Sequence, residues 1–142
     1  MPEVCKQLYD GVKRTPQQRA EEACAWIAKD YPKKWLRLVN LCESAKEQGW
    51  PRIRRGDIFV LAAQHGMSMS ECNEFLFDNT MWSVVSRYLL MFRPGLATVI
   101  FPREAEIDGA DLDQAWRDTV KSNTFFPASS WQEAAQFYGG AA

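Results

Sequence analysis

Residues 57–92 read DIFVLAAQHGMSMSECNEFLFDNTMWSVVSRYLLMF, and the fold of the chain follows from this stretch. A first helix is capped by Asp57 and ends at Gly66. Ser68, which is followed three positions later by an acidic residue, starts a short second helix. A third helix over 81–92 follows at once and holds nine apolar or aromatic residues. The pattern predicts three closely spaced helices at the centre of an all-α domain.

This order of helices resembles the helix-turn-helix unit of bacterial and phage regulators. The resemblance lies in LAAQHGMSMSE at 61–71 and VVSRYL at 84–89, about a quarter of the chain. It implies that the last helix enters the major groove of DNA while the earlier helices brace it across the backbone. The residues that would contact bases are then Ser83, Ser86 and Arg87, and Arg87 could hold a guanine edge through two donors.

A second interpretation of the same helix stays open. Phe77 stands after Leu76, where the family usually has glycine, and residues 80–92 are more apolar than a surface that faces a DNA groove. Trp82 and Tyr88 suit a protein core better than a phosphate backbone. On this interpretation the segment is a core helix without a role in nucleic-acid binding.

Towards the N-terminus the pattern predicts a helical hairpin over residues 15–50. Thr15, followed by proline and a glutamine three positions later, has the form of a capping box, and the helix that it begins ends at Pro32. A second helix over 33–48 ends at Gly49.

Basic residues flank this second helix on both sides. Cations in the first turn of a helix oppose its macrodipole, which favours an anionic partner, and the arginines beyond the helix end converge with them if the hairpin folds back. Trp35 and Trp50 are candidates for base stacking or for the core. The alternative is a solvated face partly neutralised by Glu43 and Glu47. The six basic residues are Lys33, Lys34, Arg37, Arg52, Arg54 and Arg55.

The C-terminal third, residues 93–142, begins with a turn signal at 93–95 and a β-rich run at 96–101. This run either forms a short β-hairpin with the preceding segment or lies extended over the core. Two further helices are predicted, one over 108–121 and one that begins at Ser130.

Composition bounds the class of protein. At 142 residues, with 46% hydrophobic and 25% charged residues, the chain has the size and composition of one globular domain. No apolar stretch predicts a signal peptide or a membrane span, so we expect a cytoplasmic protein without a membrane partner. The net charge of −1 conceals a basic N-terminal part, because residues 1–55 hold 12 Lys or Arg against 7 Asp or Glu.

Catalytic and metal-binding patterns are sparse. The cysteines Cys5, Cys24, Cys42 and Cys72 show no pairing typical of a zinc site, and we expect four free thiols. His65 is the one histidine, so a cysteine or serine dyad would depend on it. These observations predict a protein that is not an enzyme and that needs no metal or cofactor.

The sequence therefore predicts a compact all-α domain that acts as a small non-enzymatic regulator. Its expected partner is nucleic acid, DNA rather than RNA, bound through residues 57–92 and the basic residues, and a homodimer joined by the final helices would suit this role. The alternative is a protein-binding inhibitor or adaptor of the mobile-element or phage type, acting on host machinery such as a defence or CRISPR complex. The six Trp and eight Phe and the acidic C-terminal half favour this alternative.

Overall fold

The computed structural model describes residues 14–103 and 105–120 and shows the predicted all-α domain. Within these residues there is no strand, and two short 3₁₀ helices, Pro94–Thr98 and Glu106–Gly109, accompany the α-helices. No helix in the described part of the chain combines the length and the apolar character that crossing a bilayer requires. The predicted final helix, from Ser130, lies outside the described residues. The α-helices are α1 Pro16–Ala28, α2 Lys33–Glu47, α3 Asp57–Gln64, α4 Met69–Asn73, α5 Asn79–Phe92 and α6 Leu112–Thr119.

Two helices begin at the capping boxes that the sequence predicts. The Thr15 hydroxyl accepts a hydrogen bond from the Gln18 backbone N–H at 3.1 Å, and the Gln18 side chain accepts one from Thr15 N–H at 2.9 Å. Ser68 and Glu71 form the same pair of bonds at the start of α4. These reciprocal bonds satisfy N–H groups that a helix start would otherwise leave unpaired.

The centre of the core is α5, in which nine of 14 residues are buried. The Tyr88 hydroxyl accepts a hydrogen bond from the Cys24 thiol of α1 at 3.1 Å and donates one to the Leu112 carbonyl of α6 at 2.7 Å. The ring of Trp116 lies with its centroid 5.4 Å from that of Tyr88 and 5.8 Å from that of Trp35. This cluster joins α1, α2 and α6 around α5.

The helices α1 and α2 follow one another but pack on different neighbours. The helix α1 lies chiefly against α6, the second 3₁₀ helix and α5, whereas α2 lies against α3 and the first 3₁₀ helix. The side chain of Gln17 in α1 donates a hydrogen bond to the backbone carbonyl of Asp111, the cap of α6, at 3.0 Å. It also accepts one from the Asp111 backbone N–H at 2.7 Å. Both helices of the predicted hairpin over 15–50 are present, and each packs mainly on other parts of the domain.

The apolar side of α6 is used within the chain. Leu112, Ala115 and Trp116 are buried against the domain itself. A homodimer joined by the final helices stays a prediction. The helix also begins at Leu112, later than the predicted 108, because residues 106–109 form a 3₁₀ turn of their own.

The β-rich run at 96–101 forms no hairpin. Pro94 suits the first position of a helical turn, since its missing N–H needs no partner there, and the first 3₁₀ helix starts at this residue. Beyond Thr98 the chain lies over the core, with Val99 and Ile100 buried. The Val99 carbonyl accepts a hydrogen bond from Ile53 N–H at 2.8 Å, which ties this segment to the connector between α2 and α3.

Candidate functional site

Arg87, the predicted base contact, lies inside the protein with 1% of its surface exposed. Its Nε donates to Asp108 Oδ1 at 2.8 Å, and another guanidinium nitrogen donates to the Arg103 carbonyl at 2.6 Å. A third interaction joins it to the Ser83 carbonyl and hydroxyl. A buried guanidinium that donates four hydrogen bonds within the domain offers no pair of donors to a base edge, so the predicted outward placement of Arg87 is wrong.

The two predicted serine contacts also serve the interior. Ser86 is buried, and its hydroxyl donates to the Ser83 carbonyl at 3.1 Å. Ser83 is half-buried, and its own hydroxyl accepts a hydrogen bond from Arg87 at 2.9 Å. The helix α5 is enclosed by its own chain over most of its length, so its few polar side chains bind one another. The geometry therefore matches the core-helix interpretation, and the predicted recognition face of this helix is wrong.

The basic residues at the start of α2 do not join those beyond its end. Lys34 is buried, with its ammonium nitrogen 4.0 Å from the centroid of the Trp26 ring, and this burial lowers the pKa of Lys34. Arg37 forms an ion pair of 3.1 Å with Glu71, and Lys33 is exposed. None of the three lines the groove described below, so the predicted convergence of both basic groups is wrong.

The arginines of the connector between α2 and α3 are held in place by their neighbours. Ile53 is buried in the core and bonded to Val99, which fixes the backbone between Arg52 and Arg54. The side chain of Arg55 donates to Asn79 Oδ1 at 2.7 Å, and this bond brings the connector against the start of α5. The connector is therefore a defined wall rather than a free loop.

Three segments enclose an open groove of about 660 Å³. They are the connector at 52–55, the part of α5 at 79–87, and the chain at 100–103 with residue 105. The groove brings together six of the nine predicted contact residues, namely Arg52, Arg54, Arg55, Ser83, Ser86 and Arg87. Arg103 is added from the third segment, so that five arginines line one concave surface, and we call this surface the arginine groove.

Four of the five arginines that line the groove have no acidic partner among the residues that the structure describes. No acidic side chain is among the described residues that line it. Arg87 is paired with Asp108, but within 14–103 and 105–120 the other four arginines form no ion pair. Like charges that converge on one surface repel one another and create a positive potential that attracts anions. The four are Arg52, Arg54, Arg55 and Arg103.

Aromatic rings accompany the arginines. Phe101 lines the groove with 42% of its surface exposed, and the Arg52 guanidinium carbon lies 5.9 Å from the centroid of its ring. Trp82 is half-buried and lines the same groove. Of the two tryptophans that were candidates for stacking or for the core, Trp35 is fully buried and belongs to the core, and Trp50 is half-buried but does not line the groove.

The sequence analysis missed Phe101 and Arg103. Both follow an apolar run that was assigned as a whole to a strand or to a segment covering the core. The available signal was Pro102 between them, because proline commonly marks the point where a buried segment ends.

The thiols and the histidine have structural surroundings. Cys24, Cys42 and Cys72 are free thiols, as predicted, and the first cysteine of the chain lies outside the described residues. Burial raises the pKa of Cys24 to about 12 and also raises the pKa of Cys42, so both stay protonated at neutral pH. The His65 ring lies 3.2 Å from the Ser44 hydroxyl and also contacts a carbonyl of its own helix.

The chain matches no protein-family model, and neither a curated protein nor a solved structure shows significant similarity to it.

Proposed function

We propose that this protein is a small non-enzymatic regulator that binds nucleic acid in the arginine groove. The observation that carries the proposal is the convergence of four arginines without ion pairs, among the described residues, on one concave surface. The proposal keeps the class of partner that the sequence predicts and replaces the contact surface. The groove takes the place of the outer face of α5.

Arginine is the side chain best suited to phosphate. Its guanidinium is planar, always charged, and offers paired donors that match two phosphate oxygens. Arg54 and Arg103 are exposed and line the groove from different segments, one from the connector and one from the chain that follows Ile100. A phosphodiester backbone that runs between these segments contacts both.

The weakly negative net charge of the chain does not oppose this interaction. Two acidic side chains near the segments of the groove are bound within the domain, since Asp108 pairs with Arg87 and Asp57 accepts a hydrogen bond from Arg54 N–H at 2.7 Å. Electrostatic attraction depends on the local field at the groove, which is positive, more than on the net charge of −1.

The test is the affinity for short DNA and RNA oligonucleotides, measured by fluorescence anisotropy at about 50 mM salt, where phosphate contacts are strong. We expect the double variant Arg54→Ala/Arg103→Ala to bind at least roughly tenfold more weakly than the native chain. The control is Lys29→Ala/Lys33→Ala, which removes the same charge from exposed positions outside the groove. Equal losses in both variants, or no binding by the native chain, would contradict the proposal.

A second candidate function, binding to a protein partner, is favoured by exposed apolar side chains near α4. Met69 is 66% exposed and Leu76 is 62% exposed, and large apolar side chains at this exposure are typical of binding surfaces. This is the inhibitor or adaptor role. A Met69→Ser/Leu76→Ser variant tests it, because it should lose the partner while its affinity for oligonucleotides is unchanged.

A further inference from the structure

We infer that the arginine groove binds single-stranded nucleic acid, with an unpaired base stacked on Phe101 and the flanking phosphates on Arg54 and Arg103. This inference rests on the proposed function and adds the form of nucleic acid that is bound. The juxtaposition that carries it is an exposed aromatic ring, Phe101, in one groove with Arg52, Arg54 and Arg103.

Phe101 is held in an exposed position by its buried neighbours. Val99 and Ile100, which precede it, are 3% and 2% exposed, and the Val99 carbonyl is bonded to Ile53. Because these residues anchor the segment in the core, the backbone at Phe101 cannot move far without unpacking them. Leaving a phenylalanine ring partly in water forgoes apolar burial, and a stacked base recovers it.

The surroundings of the ring are those of a base-stacking site. The Arg52 guanidinium lies 5.9 Å from the centroid of the Phe101 ring, a distance within the range of a cation–π contact. Trp82 supplies a second aromatic side chain to the lining. Proteins that bind single strands combine such aromatic platforms with a positively charged groove that follows the backbone.

The size of the groove and the chemistry of its lining favour a single strand over a duplex. A volume of 660 Å³ is in the range of about 300–1,000 Å³ that encloses a small molecule, which suits one or two nucleotides and not a double helix. In a duplex the base faces are stacked on one another, so only phosphates would reach the arginines. An unpaired base in a single strand offers a free face to Phe101.

The experiment compares three probes with the native chain: a single strand, the same strand with abasic sites at its centre, and the matching duplex. Each probe is made as DNA and as RNA. We expect the abasic strand and the duplex to bind roughly tenfold more weakly than the intact strand, a loss in the range of one stacked base. The Phe101→Leu variant should bind intact and abasic strands equally, and Phe101→Tyr should restore the preference.

Two controls separate the possible failures. Phe59→Leu changes a half-buried phenylalanine on α3, outside the groove, and should keep the native preference. Equal binding of intact and abasic strands by the native chain would overturn the stacking site and leave the proposed function standing. Absence of binding to all nucleic-acid probes would overturn the proposed function itself. Tighter binding of polyglutamate than of the intact strand would overturn both in favour of an acidic protein surface.

Discussion

Arg87 and Asp108 form an ion pair of 2.8 Å between the middle of α5 and the second 3₁₀ helix. The arginine is 1% exposed and also binds the carbonyl of Arg103. Through these two contacts Arg87 fixes the chain at 100–108, which forms one wall of the arginine groove. The residue that the sequence offered as a base contact therefore positions the groove.

Replacing Arg87 should destabilise the domain. Arg87→Met removes the charge that pairs with Asp108 and the donors that satisfy Ser83 and Arg103. Breaking a buried ion pair by removing one partner costs about 3–5 kcal/mol, and we expect the lower end because Asp108 keeps some exposure. The measurement is urea unfolding followed by circular dichroism.

The comparison for this variant is Arg54→Ala, which removes an exposed arginine without a described ion pair. We expect it to change the free energy of unfolding by no more than about 0.5 kcal/mol. If Arg87→Met were as stable as Arg54→Ala, the structural role of Arg87 would be refuted.

Two substitutions at α4 compare the loss of a helix cap with the loss of a surface ion pair. Ser68→Ala removes the hydroxyl that caps α4 and should lower stability by about 1 kcal/mol. Arg37→Ala breaks the exposed pair with Glu71 and should cost about 0.5 kcal/mol or less. Thermal unfolding of both variants checks this order. Arg37→Ala should also leave oligonucleotide affinity unchanged, because Arg37 lies outside the groove.

Stability should fall in alkaline solution because of Cys24. Burial raises the pKa of its thiol from 9.0 to about 12, so the unfolded chain loses this proton at a lower pH than the folded chain. The stabilisation is complete below pH 9 and is lost as the pH rises towards 12. This linkage contributes up to about 1.4 kcal/mol per pH unit.

The Cys24→Ala variant isolates that contribution. Unfolding of both proteins is measured between pH 8 and the onset of the alkaline transition, and the variant should show the shallower decline. Cys42 and Lys34 also have shifted pKa values, but they are common to both proteins and cancel in the comparison. If the stability of both proteins changed with pH in the same way, burial would not raise the pKa of the Cys24 thiol.

Local signals in the sequence predicted most helix positions. The capping boxes at Thr15 and Ser68 and the aspartate before α5 each give a hydrogen bond to the third helical residue, which depends on neighbours in sequence alone. The run at 96–101 was misassigned because its apolar residues suit a strand as well as a buried turn. Pro94, which starts the first 3₁₀ helix, and the burial of Val99 and Ile100 determine the conformation that is observed.

The groove could not be predicted from the same signals. Its walls come from residues 52–55, 79–87, and 100–103 with 105, and their meeting depends on tertiary packing. The environment of Arg87 depends on Asp108, a partner 21 positions away, and no periodicity shows that pairing. The connector arginines could be singled out from the sequence, because three basic residues within four positions stand out without any knowledge of the fold, and their role in binding stays a prediction.

The most direct measurement for the account is the salt dependence of binding to a single-stranded oligonucleotide. Four arginines of the groove have no ion pair among the described residues. If each of them contacts a phosphate, a plot of the logarithm of the affinity against the logarithm of the salt concentration should have a slope of about −3. In Arg54→Ala/Arg103→Ala the slope should be roughly half as steep, since two contacts remain. A slope near zero in the native chain, or the same slope in both proteins, would contradict binding of nucleic acid in the arginine groove.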